Sequence, residues 1–318
     1  MADGFFFGRE KIQNNLNSLT AKQYGLTELR ICELEVLATR MLSFAADMSK
    51  SELRLSEVLP LVCEELRSEE FSLPEGENNL PENESRLAYA AHITDVLDKA
   101  MLSELFCERS VNYGVSVSEA EILESSFGDD SFVYVKNAYS DEAYEVLTES
   151  VRGARVKYVN SSREAAIAVS EGNATYCILP LEEHSVRIAS VSELIAAYDL
   201  KINRVTSVFG FDGTADMKYA MLSHSYAVPS REAGDDRYLE IRHSAKSPSS
   251  LSDIIFAATA YGHKIYRVNT TSALEDGEER LYYSLVLRDD ERDFSAMLVY
   301  LSLFSPETVV VGMYKNLE

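Results

Sequence analysis

The sequence predicts an α/β protein, in which an α-helical region precedes the α/β part and a second sheet-containing unit follows it. Three observations support this fold class. Residues 1–129 repeat apolar side chains at helical spacing, residues 130–230 alternate short apolar strands with helices, and residues 235–318 run strand, helix, strand, strand, helix, strand. A length of 318 residues suits two or three domains. We therefore predict three domains with these boundaries.

The first region is predicted to be helical almost throughout. Residues 26–48 form one apolar stripe, residues 49–66 form a second, and residues 85–106 form a third, while residues 72–85 contain Pro, Gly and Glu in the proportions of a loop. His92 falls on the apolar side of the third helix, without a second metal-binding residue type beside it. We interpret it as a packed or partly exposed histidine, and we predict no metal site.

Net charge narrows the choice of partners. The formal charge is −22, and residues 1–129 carry 24 Asp and Glu against 11 Lys and Arg, so more than half of the excess lies there. Such a field repels phosphate backbones and anionic lipids, which argues against nucleic-acid and membrane partners. It also opposes an anionic metabolite unless local cations outweigh it.

The absence of membrane-spanning segments, of a signal-peptide pattern and of paired cysteine motifs predicts where the protein is located and whether it holds a cofactor. It has no apolar run of membrane-spanning length, and its start does not resemble a signal peptide, so we expect a cytoplasmic protein. The widely spaced Cys32, Cys63, Cys107 and Cys177 form no CxxC pair. We interpret them as reduced core or boundary thiols, and we predict no cofactor.

The second region alternates strands with helices. A strand at residues 132–135 leads into a helix starting near Ser140, a strand at 156–160 leads into a helix that stops at Gly172, and a buried strand ends near Pro180. Another helix at 190–200 precedes strands at 201–211 and 217–228. This alternation predicts a largely parallel sheet.

The third region follows the order βαββαβ. Its strands are predicted at residues 237–244, 263–274, 280–288 and 307–316, with helices at 248–262 and 289–304. That order is the ferredoxin-like arrangement. Asp276 and Gly277 form a strong turn signal between the two hairpin strands.

The segment SREAAIAVSEGNATYCILPLE, residues 162–182, resembles bacterial prephenate dehydratases. In that family a helix of the type F-x-x-V-x-x-A-V-x-x-G-x-A-D-Y leads into a strand ending L-P-I-E-N-S. The segments NAYSDEA at 137–143 and ELIAAYDLKI at 193–202 resemble two further family motifs, and the resemblance covers roughly residues 130–318. The matching positions in the first segment are Ala165, Ala168, Val169, Gly172, Ala174, Tyr176, Leu179, Pro180, Leu181 and Glu182.

The resemblance implies a two-lobed domain like those of periplasmic binding proteins, hinged around a cleft, followed by an ACT-like domain that senses phenylalanine. The family's reaction removes water and carbon dioxide from prephenate to give phenylpyruvate. It requires cations and backbone N–H groups for two carboxylates, and a general acid for the departing hydroxide. In the family, the acid is the threonine of a Thr-Arg-Phe triplet that opens a strand.

The catalytic triplet is altered in this chain. Met217, Lys218 and Tyr219 stand where the family has threonine, arginine and phenylalanine. A thioether has no proton to donate, so Met217 is not competent as the acid. Lysine keeps a positive charge but lacks the planar guanidinium group with which arginine binds both oxygens of a carboxylate.

Other predicted cleft positions also depart from the family pattern. Tyr134 and Asn137 stand where the family has glycines, and Glu183 and His184 stand where it has Asn and Ser. Ser140, Thr214 and His184 carry hydroxyl or imidazole groups near the triplet, so each is a candidate substitute acid. The simpler interpretations are a helix cap for Ser140, a turn residue for Thr214 and an exposed loop histidine for His184. The predicted substrate-cleft residues are Asn137, Ala138, Tyr139, Ser140, Glu182, Glu183, His184 and Thr214, of which Ser140, His184 and Thr214 are the candidate acids.

The effector site of the ACT-like domain is also degenerate. The family's Gly-Ala-Leu and Glu-Ser-Arg-Pro segments correspond here to two stretches in which Leu251 alone is retained. These stretches are Ser249, Ser250 and Leu251, and Asn269, Thr270, Thr271 and Ser272. We expect the domain to fold and to pair into a homo-oligomer, with phenylalanine binding in doubt.

Some members of the family carry a helical chorismate mutase at the N-terminus. Leu29 and Arg30 at the head of a long helix are weakly similar to the start of that module, although the acidic character of the region opposes a pocket for a dicarboxylate. An unrelated helical cap is the other interpretation.

Three functional hypotheses follow. The first is a relative of prephenate dehydratase, from the phenylalanine-biosynthesis lineage, with reduced or lost activity and a ligand-binding or regulatory role, its ligand an aromatic acid or an amino acid. The second is an active dehydratase, a carbon–oxygen lyase, with a relocated acid. The third is a solute-binding module that uses a hinged cleft without chemistry.

Overall fold

The computed structural model describes residues 28–50, 53–66, 84–126, 131–149, 151, 153–209, 215–231, 236–275, 278–289 and 292–317. Thr214, the predicted Asp276-Gly277 turn and nearly all of the predicted loop at 72–85 lie outside these residues, as does the side chain of His92. Within the described helices, none has both the length and the apolar character needed to cross a membrane.

The predicted elements occur in the predicted order, and the structure adds a short helix at Glu119–Ile122 and a two-residue strand at Val186–Arg187 that were not predicted. The helices are α1 Glu28–Ser49, α2 Leu55–Leu66, α3 Glu84–Ser110, α4 Glu119–Ile122, α5 Ala138–Leu147, α6 Ser162–Ser170, α7 Ala189–Ala197, α8 Leu251–Ala260 and α9 Ser295–Phe304. The strands are β1 Ser131–Val135, β2 Arg155–Val159, β3 Tyr176–Glu183, β4 Val186–Arg187, β5 Lys201–Phe209, β6 Ala215–Ser223, β7 Arg237–Ser244, β8 Lys264–Glu275, β9 Glu278–Arg288 and β10 Val309–Leu317.

The chain divides into two compact units. One comprises Met1–Ile122, Ala245–Ile265 and Asp290–Thr308, and the other comprises Leu123–Ser244, Tyr266–Asp289 and Val309–Glu318. The helices α8 and α9 of the C-terminal βαββαβ segment therefore belong to the first unit, whereas most of its strand residues belong to the second. The three-domain division stays a prediction.

The first unit is built around α3, which contacts α1, α8 and α9. Tyr261 donates a hydrogen bond of 2.8 Å to the carbonyl of Ala100 in α3. The Arg30 guanidinium at the start of α1 lies 2.7 Å from the buried Asp98 carboxylate, so this cation is neutralised within the unit. The thiol of Cys63 is buried and donates to the carbonyl of Leu303.

The second unit holds a ten-stranded sheet within the described residues, in the order β2-β1-β3-β6-β5-β10-β7-β9-β8, with β4 paired to β3. The prediction of a largely parallel sheet is wrong. β1 lies parallel to β2 and β3, but β6 runs antiparallel to both β3 and β5. Hydrophobic period identifies a strand without revealing the direction of its neighbour, which explains the error.

The strand order β10-β7-β9-β8 at one end of the sheet is that of a ferredoxin-like βαββαβ unit. β10 also pairs in parallel with β5, and this pairing joins the four strands of the βαββαβ segment to the rest of the sheet. Gly312 is required at the junction, because a Cβ atom there would lie 2.4 Å from the Ile202 carbonyl oxygen.

Candidate functional site

The carboxyl ends of β1 and β2 border a cavity of about 250 Å³, which we call the helix-end cavity. Helices α5 and α6 both begin there, so backbone N–H groups at two helix N-termini lie near this region, an arrangement that favours anions. The cavity is lined by Val135, Asn137, Ser140, Asn160, Ser161, Ser162, Ile178, Pro180 and Tyr219.

The start of α5 differs from the prediction that it begins near Ser140. Asn137 is the N-cap, and its side chain accepts a hydrogen bond of 3.0 Å from the Ser140 backbone N–H. The Ser140 hydroxyl accepts in return from the Asn137 N–H and donates to the Val135 carbonyl over 2.6 Å. This reciprocal capping box places Ser140 inside the helix rather than before it, and it engages the hydroxyl that the sequence offered as a substitute acid.

Tyr219 forms part of the wall of the helix-end cavity. It is 3% exposed and pairs with Pro180 across the β3–β6 ladder. Burial raises the pKa of the Tyr219 phenol, and hydrogen bonding with the Asn137 side chain partly offsets that rise. The phenol therefore stays protonated at neutral pH and is able to donate a hydrogen bond. Met217 packs against the same hydrophobic cluster as Tyr219.

Lys218 lies on the opposite side of the sheet from Met217 and Tyr219, because alternate residues of a strand face opposite ways. It lines a small space of about 20 Å³ together with Glu182, Arg267 and three tyrosines. The predicted catalytic triplet is thus divided between two faces of the sheet. Its role in catalysis stays a prediction.

Glu182 is the centre of a charge cluster on the Lys218 side. The carboxylate is 5% exposed and lies 3.7 Å from the Lys218 ammonium and 3.7 Å from the Arg187 guanidinium. Arg267 donates to both of its oxygens, with Nη2 lying 3.1 Å from Oε2. Within the described residues, three cations therefore surround one buried carboxylate.

A second carboxylate extends this cluster. Glu240 is 2% exposed and accepts from Arg187 Nη2 over 2.5 Å and from the Tyr314 hydroxyl over 3.1 Å. Ser284 contributes a further hydrogen bond of 3.3 Å to Glu240. Buried charges of this kind need both opposite charge and hydrogen bonds, and the cluster supplies both.

Arg187, Glu240 and Arg267 were not among the predicted site residues. The sequence separation of 85 residues between Glu182 and Arg267 shows why, since no local pattern relates them. Arg187 follows Glu182 closely and pairs with it in the β3–β4 ladder. A lone arginine after a turn is nevertheless a weak signal.

Glu183 is the last residue of β3 and His184 follows it in the turn before β4, and both are exposed. His184 and Ser185 have φ angles of +47° and +64°, which place both residues in the left-handed region. Glu183 pairs in register with Met217 of β6. The exposed position of His184 agrees with its interpretation as a loop histidine.

The two halves of the predicted effector site belong to different compact units. Ser249, Ser250 and Leu251 belong to the first unit, where Ser250 caps α8 in a capping box with Asp253. Asn269, Thr270 and Thr271 belong to the second unit and line a separate cavity of about 520 Å³. Ser272 follows them in β8.

This larger cavity, which we call the α7 cavity, is bordered by α7, by the turn before β4 and by the strands β7, β8 and β9. Its charged lining residues are Arg187, Glu193, Glu240 and Arg242, and its apolar ones include Val186, Ile195, Ala196 and Val311. Tyr282 and several hydroxyl-bearing side chains complete the wall. Volumes of several hundred Å³ with a few convergent polar groups are typical of small-molecule sites.

No protein-family model matches this chain, and no curated protein matches it in sequence. Among solved structures, it is similar to prephenate dehydratase from Streptococcus mutans, with a TM-score of 0.47, 9% identity and coverage of 60% of this chain and 100% of that chain. It is also similar to GqqA, described as a novel type of quorum-quenching acylase, with a TM-score of 0.43, 16% identity and coverage of 59% and 96%.

Prephenate dehydratase from Arthrobacter aurescens, solved in complex with L-Phe, has a TM-score of 0.43, 14% identity and coverage of 58% of this chain and 89% of that chain. This chain therefore has distant structural similarity to prephenate dehydratases and to GqqA over about 60% of its length.

Proposed function

We propose that this protein is a prephenate-dehydratase-related binding protein in which the dehydratase activity is reduced or lost. One observation carries the proposal. At the strand position where the resembling family has its catalytic threonine, Met217 packs against a hydrophobic cluster and offers no proton. Loss of a general acid commonly lowers a rate by roughly 10²- to 10⁴-fold.

The charge arrangement supports the same proposal. Lys218, which stands at the family's arginine position, lies 3.7 Å from Glu182 and on the sheet face opposite Tyr219. A substrate carboxylate would have to displace or compete with this internal carboxylate. A resident anion beside the cation opposes binding of a dianion by Coulomb repulsion.

The nearby hydroxyl groups favour binding over chemistry. Ser140 is committed to the capping box of α5. The Tyr219 phenol is a protonated donor in the wall of the helix-end cavity, where it suits recognition of a ligand oxygen. The ligand class that we propose is an aromatic acid or an amino acid, bound without turnover.

The alternative is an active dehydratase with a relocated acid, and the specific observation that favours it is the same Tyr219 hydroxyl. The test is to incubate purified protein with prephenate and to follow phenylpyruvate by its absorbance in alkali. We expect no turnover above the spontaneous rate. Turnover that Tyr219→Phe abolishes would establish the alternative and overturn our proposal.

A double change, Met217→Thr with Lys218→Arg, tests descent from an enzyme. We expect it to restore measurable turnover only if the rest of the cleft is still competent. The single change Lys218→Arg serves as the matched control, because it restores the guanidinium without the hydroxyl.

A further inference from the structure

Arg242 carries a charge in the α7 cavity that the described chain does not neutralise. It lies on β7, paired with Ser284 of β9 and Val309 of β10, and lines the cavity. Among the described residues it forms no ion pair, and its buried Nε has no hydrogen-bond partner. Its guanidinium lies over the ring of Tyr282, with 5.0 Å between the guanidinium carbon and the ring centroid.

The other partly or fully buried charges of the cavity, Arg187 and Glu240, are paired. Arg187 is bound to Glu240 over 2.5 Å and approaches Glu182 at 3.7 Å. Glu240 is further satisfied by Tyr314 and Ser284. Glu193 on α7 is exposed. Among the described residues that line this cavity, the half-buried Arg242 is thus the cation without a paired carboxylate, and its buried Nε lacks a hydrogen-bond partner. An anion bound there would satisfy both the charge and the donor.

The rest of the lining limits which ligands the cavity could accommodate. Val186, Ile195, Ala196 and Val311 provide apolar surface within the same cavity. Thr270 and Thr271 provide hydroxyl groups. A volume of about 520 Å³ exceeds what a bare inorganic ion fills and suits a small organic molecule.

We propose that the α7 cavity is a binding site for a small organic carboxylate with an apolar body, and that Arg242 is the residue that holds the carboxylate. A guanidinium fixed against an aromatic ring is pre-organised for this role, because its planar fork matches two carboxylate oxygens. The apolar body would lie against Val186, Ile195 and Ala196.

This proposal goes beyond the function proposed above, since Met217, Lys218 and Tyr219 do not line the α7 cavity. The cavity includes Asn269, Thr270 and Thr271 of the predicted effector site but not Ser249, Ser250 and Leu251, which belong to the other unit, and the carboxylate is assigned to Arg242, which was not a predicted site residue. Prephenate turnover and ligand binding at Arg242 can therefore be tested separately.

The experiment is calorimetric titration of the full chain with three probes. Phenylacetate carries the carboxylate and an apolar body, phenylacetamide has the same shape without the charge, and L-phenylalanine adds an ammonium group. We expect saturable binding of phenylacetate and at least about tenfold weaker binding of phenylacetamide, since a charge-assisted pair is lost. Comparison with L-phenylalanine separates a simple acid from an amino acid as the preferred source of the carboxylate.

Four variants accompany the probes. Arg242→Gln is expected to weaken phenylacetate binding by about tenfold or more, and Arg242→Lys by less, because lysine keeps the charge without the fork. Ala196→Phe is expected to block the cavity while leaving Arg242 in place. Arg288→Gln is the matched control, because Arg288 pairs with Asp236 at the end of β9 and does not line the cavity.

Thermal melting of each variant checks that it is folded, and Arg242→Lys keeps the test valid if Arg242→Gln fails that check. Equal binding of phenylacetate by wild type and the Arg242 variants would overturn the proposal. Equal affinity for phenylacetamide would do the same, as would the absence of saturable phenylacetate binding up to about 10 mM. The prephenate assay reports separately on the function proposed above.

Discussion

Arg267 on β8 and Glu182 on β3 form a two-point ion pair, in which Arg267 Nη2 lies 3.1 Å from Glu182 Oε2 and Nη1 bonds Oε1. Burial of the Arg267 guanidinium lowers its pKa, but the hydrogen bonds and charge of Glu182 outweigh this and leave the pKa raised overall. The pair links two segments that are 85 residues apart in sequence. Because Lys218 and Arg187 approach the same carboxylate, the cluster is a structural element of the second unit as well as a candidate site.

Replacing Glu182 with Gln is expected to destabilise the protein by about 3 kcal/mol, because the surrounding cations lose their buried counter-charge. The measurement is the free energy of unfolding from urea denaturation followed by circular dichroism. Glu183→Gln is the matched control, since Glu183 is exposed next to it in the same strand, and its effect should stay within about 0.5 kcal/mol. Equal stability of the two variants would contradict the assigned role of Glu182.

Ser140→Ala should destabilise the protein by about 1–2 kcal/mol. The change removes half of the capping box of α5 and leaves the Val135 carbonyl without a hydroxyl donor. Ser162→Ala at the start of α6 is the control, and it should change the free energy of unfolding by less than about 0.5 kcal/mol. A Ser140 variant as stable as the Ser162 variant would show that the box contributes nothing.

Gly312→Ala is expected to cost about 2–3 kcal/mol, because the new methyl group would lie 2.4 Å from the Ile202 carbonyl oxygen and 2.6 Å from its Cβ. Backbone atoms cannot rotate away, so β10 would have to separate from β5. Val309→Ala in the same strand is the control, with an expected loss of about 0.5 kcal/mol. Unfolding curves that leave Gly312→Ala as stable as wild type would rule out the close β5–β10 approach.

The raised pKa of Glu108 predicts that the stability of the first unit depends on pH. Burial is the largest cause that raises its pKa to about 7, and the nearby Glu104 carboxylate raises it further, against the opposing charges of Arg292 and Arg109. The folded state therefore binds this proton more tightly than the unfolded state does. Its contribution is fully present below the ordinary pKa of 4.5 and is lost as pH rises towards about 7.

Glu108→Gln should remove that loss and stabilise the protein at pH 8 by about 1 kcal/mol, a value reduced to allow for the partial exposure of the side chain. At pH 4 the variant should have no such advantage. Urea denaturation at both pH values measures the difference, with Glu64→Gln on the exposed face of α2 as the control. A variant that gains no stability between pH 4 and pH 8, relative to wild type, would contradict the raised pKa.

Much of the secondary structure was predictable because its signals are local. The segment RYLEIRHS was predicted as a strand over residues 237–244, and β7 has these bounds. The predicted end of a helix at Gly262 agrees with a φ of +86° there, which an L side chain adopts with strain. The start of α5 was misplaced, since Asn137 and Ser140 are both capping residue types and the choice between them depends on backbone geometry.

The candidate sites were only partly predictable. The sequence singled out Asn137, Ser140 and Tyr219, and the structure brings these three to one cavity. It also singled out Lys218, which the structure turns to the other face of the sheet. Arg242 carried no signal at all, because its significance arises from what surrounds it rather than from its neighbours in sequence.

By itself, the sequence determined the order of helices and strands, the βαββαβ order at the C-terminus and the unusual Met217 at the start of β6. Hydrophobic period, capping and turn residues act over a few positions, so they can be read along the chain. Tertiary structure alone decided that β6 is antiparallel to β3 and β5, that β10 joins β5, and that Arg267 neutralises Glu182. These relations depend on long-range strand pairing and on desolvation of charges, which local patterns do not encode.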